Sequence, residues 1–245
     1  MNTRDPVNHG QPDPLGGKDP KPRTAVVRTL LPVLPLYVLV PIAFAVVFWA
    51  AGFPLHWGLF GLGALGWWVA YLLRMPVLLV MSKRNSGQQP KAIVYFSGPF
   101  EEGVRLVALL VFGASMSHAL SIGQGWAAIE VAFAIVQGIA VTSLKFRTDE
   151  KAMRAKAAMA EIGIPTDGSA LWGVVERLFA SAFHIGATLV IAWDPWLVIV
   201  MMPVHTLFNV TVLRTMKKSI AVAESVVAVF GSVVLAAGLL LHLVP

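Results

Sequence analysis

The sequence predicts an all-α, polytopic membrane protein of about seven transmembrane helices, and three observations predict it. Of the 245 residues, 57% are hydrophobic and only 13% are charged, whereas a soluble domain gives roughly a quarter of its residues to charge. The apolar residues gather in seven runs, each near the ~20 residues that cross a hydrocarbon core. The basic residues fall between alternate runs, which is the mark of membrane orientation.

Residues 1–28 are rich in Pro, Gly and charge, and are expected to form a disordered cytoplasmic tail. The membrane domain then occupies 29–245, with spans expected at about 29–51, 57–80, 95–119, 124–144, 170–192, 195–213 and 219–243. The first run is too long for a signal-peptide core and lacks a small-residue cleavage pattern, so it is expected to stay in the protein. Pro32, Pro35 and Pro41 inside it are expected to kink rather than break the helix, because buried neighbours can satisfy the freed carbonyls. The one long connection, about 145–168, contains good helix formers up to Gly163 and Pro165. It is expected to hold an amphipathic cytoplasmic helix at about 147–162, lying near the headgroups.

The positive-inside rule orients the spans. Basic residues occupy the tail and the second, fourth and sixth connections, and are missing from the first, third and fifth and from the C-terminus. With seven spans this puts the N-terminus in the cytoplasm and the C-terminus outside. The same rule accounts for the pI near 9.8, so the lipid bilayer is the expected partner of these charges and no nucleic acid is. No cysteine is present, which removes thiol catalysis and Cys-ligated metal.

Ionisable residues inside spans are expensive and normally face one another or a wet cavity. They gather in three spans. The third holds Glu101, Glu102 and Arg105 in FSGPFEEGVRL, the fifth holds Glu176, Arg177 and His184 in VVERLFASAFHIG, and the sixth holds His205 and Asn209 in MMPVHTLFNVT. Glu101 and Arg105 are four residues apart and Glu102 and Arg105 three, so the arginine can balance either carboxylate on one helix face. His205 and Asn209 also stack on one face, and Arg177 and His184 lie nearly in line two turns apart. With the topology above, the carboxylates and Asn209 fall in the cytoplasmic half and both histidines near mid-membrane, so the site should open to the cytoplasm. A carboxylate and an imidazole can take a proton from water for attack on an amide carbonyl, and a second imidazole and an amide can donate to the oxyanion that forms. Glu130 and Glu224 belong to no motif and read as structural or interfacial, as does His118 near the outer end of the third span.

The order EExxR, then ER followed seven residues after its arginine by His, then HxxxN, on three separate spans, resembles the glutamic intramembrane proteases of the CAAX-protease and bacteriocin-processing (CPBP) superfamily. It looks closest to the YhfC family of membrane peptidases. The best-known members carry EExxxR and FxxxH, whereas here Arg105 is one position closer and Ala180 stands in place of the phenylalanine. The resemblance implies that Glu101 and His184 activate water and that His205 and Asn209 stabilise the oxyanion. It also implies that Glu102 and Arg105 orient the base, and it matches Glu176 and Arg177 to the ER element. The substrate would be a membrane-associated peptide or protein, the location a bacterial inner membrane, and no cofactor would be needed.

Other chemistries use the same residues. Two histidines and a carboxylate make a zinc shell, although HExxH is missing, so metal-dependent hydrolysis stays open. Ser181 and His184, three residues apart, form a weak nucleophile–base pair on one helix turn with no third orienting group. A proton-coupled transporter would place Glu, Arg and His in its spans too, but no internal repeat is visible. A non-catalytic membrane partner retaining the protease fold is the third class, and it would tolerate Glu101→Gln.

Overall fold

The computed structural model describes residues 22–84, 89–162 and 169–243. Among these residues every regular element is helical: α1 (Pro22–Leu30), α2 (Leu34–Ala50), α3 (Trp57–Arg84), α4 (Gln89–Phe112), α5 (Met116–Lys145), α6 (Glu150–Ile162), α7 (Ala170–Trp193), α8 (Val198–Met216) and α9 (Ile220–Leu243), with a single 3-10 turn at Pro195–Leu197 leading into α8. Among the described residues five segments are long and apolar enough to cross a membrane: Trp57–Val77, Met116–Lys145, Leu171–Trp193, Pro195–Met216 and Ile220–Leu243. This is the build of an integral membrane protein. Helix α2 is apolar but has only 17 residues, and Glu101, Glu102 and Arg105 interrupt the apolar stretch of α4.

Three expectations about boundaries need correction. The expected first span is divided by a turn at Leu31–Val33, where Val33 N–H donates to the Leu30 carbonyl and Leu36 N–H to that of Val33. Pro32 and Pro35 have no amide hydrogen to continue the helical ladder there, whereas Pro41 stays inside α2. The expected tail to residue 28 overlaps α1, which packs against α5; residues 1–21 lie outside the described residues. The boundary expected near residue 120 between the third and fourth apolar runs falls instead at Gly113–Ser115, between α4 and α5. Gly113 has a φ of +99°, a conformation that glycine adopts at no steric cost, and the Ser115 hydroxyl accepts from His118 N–H to cap α5. His118 therefore sits in the first turn of α5.

Helix α7 is the centre of the bundle. In its apolar window 67% of residues are buried, against 28% or less in the other four segments. It packs on α9 through small residues that let backbones approach, as membrane helices commonly do. A Cβ added at Gly186 would come within 2.5 Å of the Val234 carbonyl and the Leu235 amide. Helices α4 and α8 meet in the same way at Gly98, where a Cβ would run into the Met202 carbonyl oxygen and the Thr206 hydroxyl. That contact, one turn before Glu101 and Glu102, sets α4 against the helix that carries His205 and Asn209.

The two ends of the bundle differ. Trp49, Trp57, Trp193 and Trp196 are 51–75% exposed and lie at the end shared by the close of α2, the start of α3 and the junction of α7 with α8. Lysines and arginines collect at the opposite end, among them Lys145 closing α5 and Arg214 in the last turn of α8. There Asp149 caps α6 by accepting from Ala152 N–H and pairs with Arg147. The Arg147 hydrogen bonds hold its carboxyl below the usual range.

Candidate functional site

Adjacent residues on a helix point about 100° apart, and this sends Glu101 and Glu102 to different partners. Glu101 turns to α3 and α5: Oε1 pairs with Arg74, and Oε2 accepts from Trp126 Nε1 at 3.2 Å. Glu102 turns to α8 and is fully buried. Both its oxygens accept from Arg105 Nη1, at 3.2 and 2.9 Å, and Oε1 accepts from His205 Nδ1 at 2.5 Å. Arg105 thus balances Glu102 and not Glu101, because Arg74 and Trp126 already satisfy the latter. The Arg105 guanidinium also lies 4.6 Å from the Trp126 ring centroid, a cation–π contact.

The second histidine is held on both nitrogens. Arg105 Nη2 donates to His184 Nδ1 at 3.0 Å, and His184 Nε2 lies 2.5 Å from Glu130 Oε2. An arginine has only donors to offer, so Nδ1 is the lone pair and Nε2 carries the hydrogen, a tautomer assigned from its partners. Glu130 Oε1 in turn accepts from Arg177 Nη1 at 2.7 Å, and Arg177 pairs with Glu176. The result is one continuous chain, His205–Glu102–Arg105–His184–Glu130–Arg177–Glu176, drawn from α8, α4, α7 and α5.

His205 differs from His184 in one respect. Its Nδ1 hydrogen goes to Glu102, while Nε2 points toward Glu101 Oε1 at 3.9 Å, too far for a direct hydrogen bond. Glu101 Oε2 and His184 Nδ1 are also 3.9 Å apart. These groups meet at a cavity of about 270 Å³ lined by Glu101, His184, His205, Asn209, Glu176 and Arg177, together with Arg74, Glu130 and the aromatic rings of Trp67, Tyr71 and Phe133. Glu102 and Arg105 lie behind it. The cavity runs from mid-bundle toward the basic end, past Gln137 of α5, Val212 of α8 and Val227 of α9. Asn209 Nδ2 donates to Ser97 Oγ at 2.7 Å, which uses one of its two amide hydrogens.

Glu101, His184 and His205 also have the donor set for a metal ion, with their ligand atoms within 4.8 Å of one another. Glu102 behind His205 Nδ1 is the kind of carboxylate that supports a metal-bound imidazole. Two of the three donors already face arginines, however: Arg74 holds Glu101, and Arg105 occupies the Nδ1 lone pair of His184. A cation would have to displace Arg105 from the one lone pair of His184 Nδ1 and would add charge beside two guanidinium groups.

Compared with family models, with curated proteins and with solved structures, the chain matches none. Of the eight residues singled out from the sequence, Glu102, Arg105, Glu176, Arg177, His184 and His205 belong to the hydrogen-bonded chain, whereas Glu101 and Asn209 line the same cavity but bond to Arg74 and Trp126 and to Ser97. Ser181 is buried beside them but has no hydrogen bond to His184. Three members were not assigned to the site from sequence. Arg74 is not singled out by the sequence and Glu130 reads there only as structural or interfacial, because their partners lie on other helices. Trp126 gave no signal, since tryptophan is ordinary in an apolar helix.

Proposed function

We propose that the chain is an intramembrane peptidase that hydrolyses an amide bond with water bound between Glu101 and His205. The observation that carries this reading is the 3.9 Å gap between Glu101 Oε1 and His205 Nε2 at the cavity wall. One water can donate a hydrogen to each of two acceptors so spaced. His205 takes the proton as the water oxygen attacks the carbonyl carbon, and Glu102 at Nδ1 stabilises the imidazolium that results, the role a buried carboxylate plays behind a catalytic histidine. The second amide hydrogen of Asn209 supports the oxyanion. The imidazolium returns its proton to the departing amine, which leaves an acid, an amine and the starting enzyme. His184, engaged on both nitrogens, orders Arg105 and thereby Glu102, rather than touching the water as the motif resemblance implies.

The choice of a peptide substrate rests on the resemblance of EExxR, ER and HxxxN to the glutamic intramembrane proteases. In the same reading α2 and α4 complete seven spans, with the N-terminus cytoplasmic and the C-terminus outside, in a bacterial inner membrane. The alternation of basic connections supports that topology, and so does the ring of exposed tryptophans at the other end, where aromatic residues favour the membrane interface. The cavity then opens to the cytoplasm.

The test is cleavage of a pooled peptide library by purified protein and by Glu101→Gln, each with and without chelator, read by mass spectrometry. The reading expects cleavage by the wild type in both conditions and its loss in Glu101→Gln. Loss to chelator would move the water onto a metal. Equal cleavage by Glu101→Gln would overturn the reading.

A further inference from the structure

We infer that Glu130 is a positioning residue that fixes the tautomer of His184 and through it the geometry of the Glu102–His205 pair; this rests on the hydrolytic reading above. Glu130 sits mid-way along α5, one turn from Trp126, with its carboxylate between His184 Nε2 (2.5 Å from Oε2) and Arg177 Nη1 (2.7 Å from Oε1). Its side chain is 22% exposed and lines the cavity, yet it lies on the far side of His184 from Glu101 and has no contact with the proposed water.

A carboxylate can only accept, so Glu130 keeps the His184 hydrogen on Nε2. Nδ1 is then a lone pair and can receive Arg105 Nη2, whose other nitrogen holds both oxygens of Glu102. If His184 carried its hydrogen on Nδ1 instead, two donors would face each other across 3.0 Å. Arg105 would have to withdraw, and Glu102 would lose its partner while it orients His205 Nδ1. Arg177, paired with Glu176 on the opposite flank, fixes Glu130 in turn. The chain thus passes an orientation from α5 to α8 without contact between those two residues.

Glu130→Gln separates this role from simple packing. The guanidinium of Arg177 selects the amide oxygen, so the amide NH2 faces His184 Nε2 and donates to it, and the imidazole hydrogen is forced to Nδ1. Glu130→Asp keeps an acceptor and is the conservative control. Two readouts follow, both on full-length protein in lipid nanodiscs, with folding checked by thermal unfolding. In 15N-histidine spectra, with the His184 signals assigned through His184→Gln, the wild type and Glu130→Asp should show the Nε2–H form and Glu130→Gln the Nδ1–H form. In peptide hydrolysis, Glu130→Gln should lower kcat about 10–100-fold, the usual loss when an orienting partner is removed, with KM within about twofold, and Glu130→Asp should recover part of the rate.

An unchanged His184 tautomer in folded Glu130→Gln overturns the inference, whatever the hydrolysis shows. So does an unchanged kcat in an enzyme that Glu101→Gln inactivates, and in that case the hydrolytic reading survives alone. If the tautomer moves as expected but the wild type cleaves nothing, Glu130 retains its hold on His184 and the hydrolytic reading is the one that fails.

Discussion

Glu101 carries the balance of the site in its two oxygens, one held by Arg74 and one by Trp126. Removing one partner of a buried ion pair leaves a desolvated charge, at a cost of about 3–5 kcal/mol. Arg74→Met should therefore lower the thermal midpoint in detergent and abolish hydrolysis, while Arg74→Lys should recover most of the stability. Equal midpoints for Arg74→Met and wild type would show that the pair contributes nothing to the folded state. The same scale explains what the sequence revealed. Glu101, Glu102, Arg105, Glu176, Arg177, His184, His205 and Asn209 were legible because charge and amide groups are conspicuous in hydrocarbon and fall at helical spacings. Their partners were not legible. Both Glu101 and Glu102 sit within one turn of Arg105, and only the approach of α3 and α5 decides that Arg105 goes to Glu102. Trp126 does two jobs, under Arg105 and beside Glu101, that nothing in its sequence neighbourhood announces.

At the scale of the element, the site depends on how closely α4 can lie on α8. Gly98 makes the approach possible, since any Cβ there would meet the Met202 carbonyl and the Thr206 hydroxyl. Overpacking of this kind costs about 1–3 kcal/mol. Gly98→Leu should lower the thermal midpoint and, by parting Glu102 from His205, reduce kcat further than Gly98→Ala does. A Gly98→Leu protein with wild-type stability and rate would mean that the two helices do not meet there. Helix existence was well signalled by long apolar runs, and helix ends less well. The α4–α5 turn was expected several residues too late because Gly113 and Ser115 lie inside a run without Asp, Glu, Lys or Arg from 106 to 129, where a positive φ and a cap decide the boundary. Pro32 and Pro35 were expected to kink the chain and instead end α1 before α2 begins, since two missing amide hydrogens so close together leave too little ladder to continue.

Over the whole molecule, one polarity joins the fold to the proposed function. Exposed tryptophans mark one end, basic residues mark the other, and the cavity runs from mid-bundle to the basic end. If the basic end is cytoplasmic, a periplasmic-type reporter fused after Pro245 should be active and one inserted in the 145–168 connection should be silent. The reverse pattern would invert the molecule and turn the cavity outward. Alternation of charge made this polarity readable before any helix was placed, because it depends only on which connections carry lysine and arginine. The convergence of four helices on one hydrogen-bonded chain depends on packing, and no single stretch of sequence contains it.

If Glu101 and His205 share one water, the kinetics of Glu101→Gln, His205→Gln and the double variant will show it. Groups that act as a unit are not additive. His205→Gln should lose about 10²–10⁴-fold in kcat, the usual contribution of a general base, Glu101→Gln should lose rate because the water is no longer held by a carboxylate, and the double variant should lose scarcely more than the worse of the two. A double variant whose loss is the product of the single losses would contradict the shared water, and either single variant retaining the wild-type rate would remove that residue from the reaction.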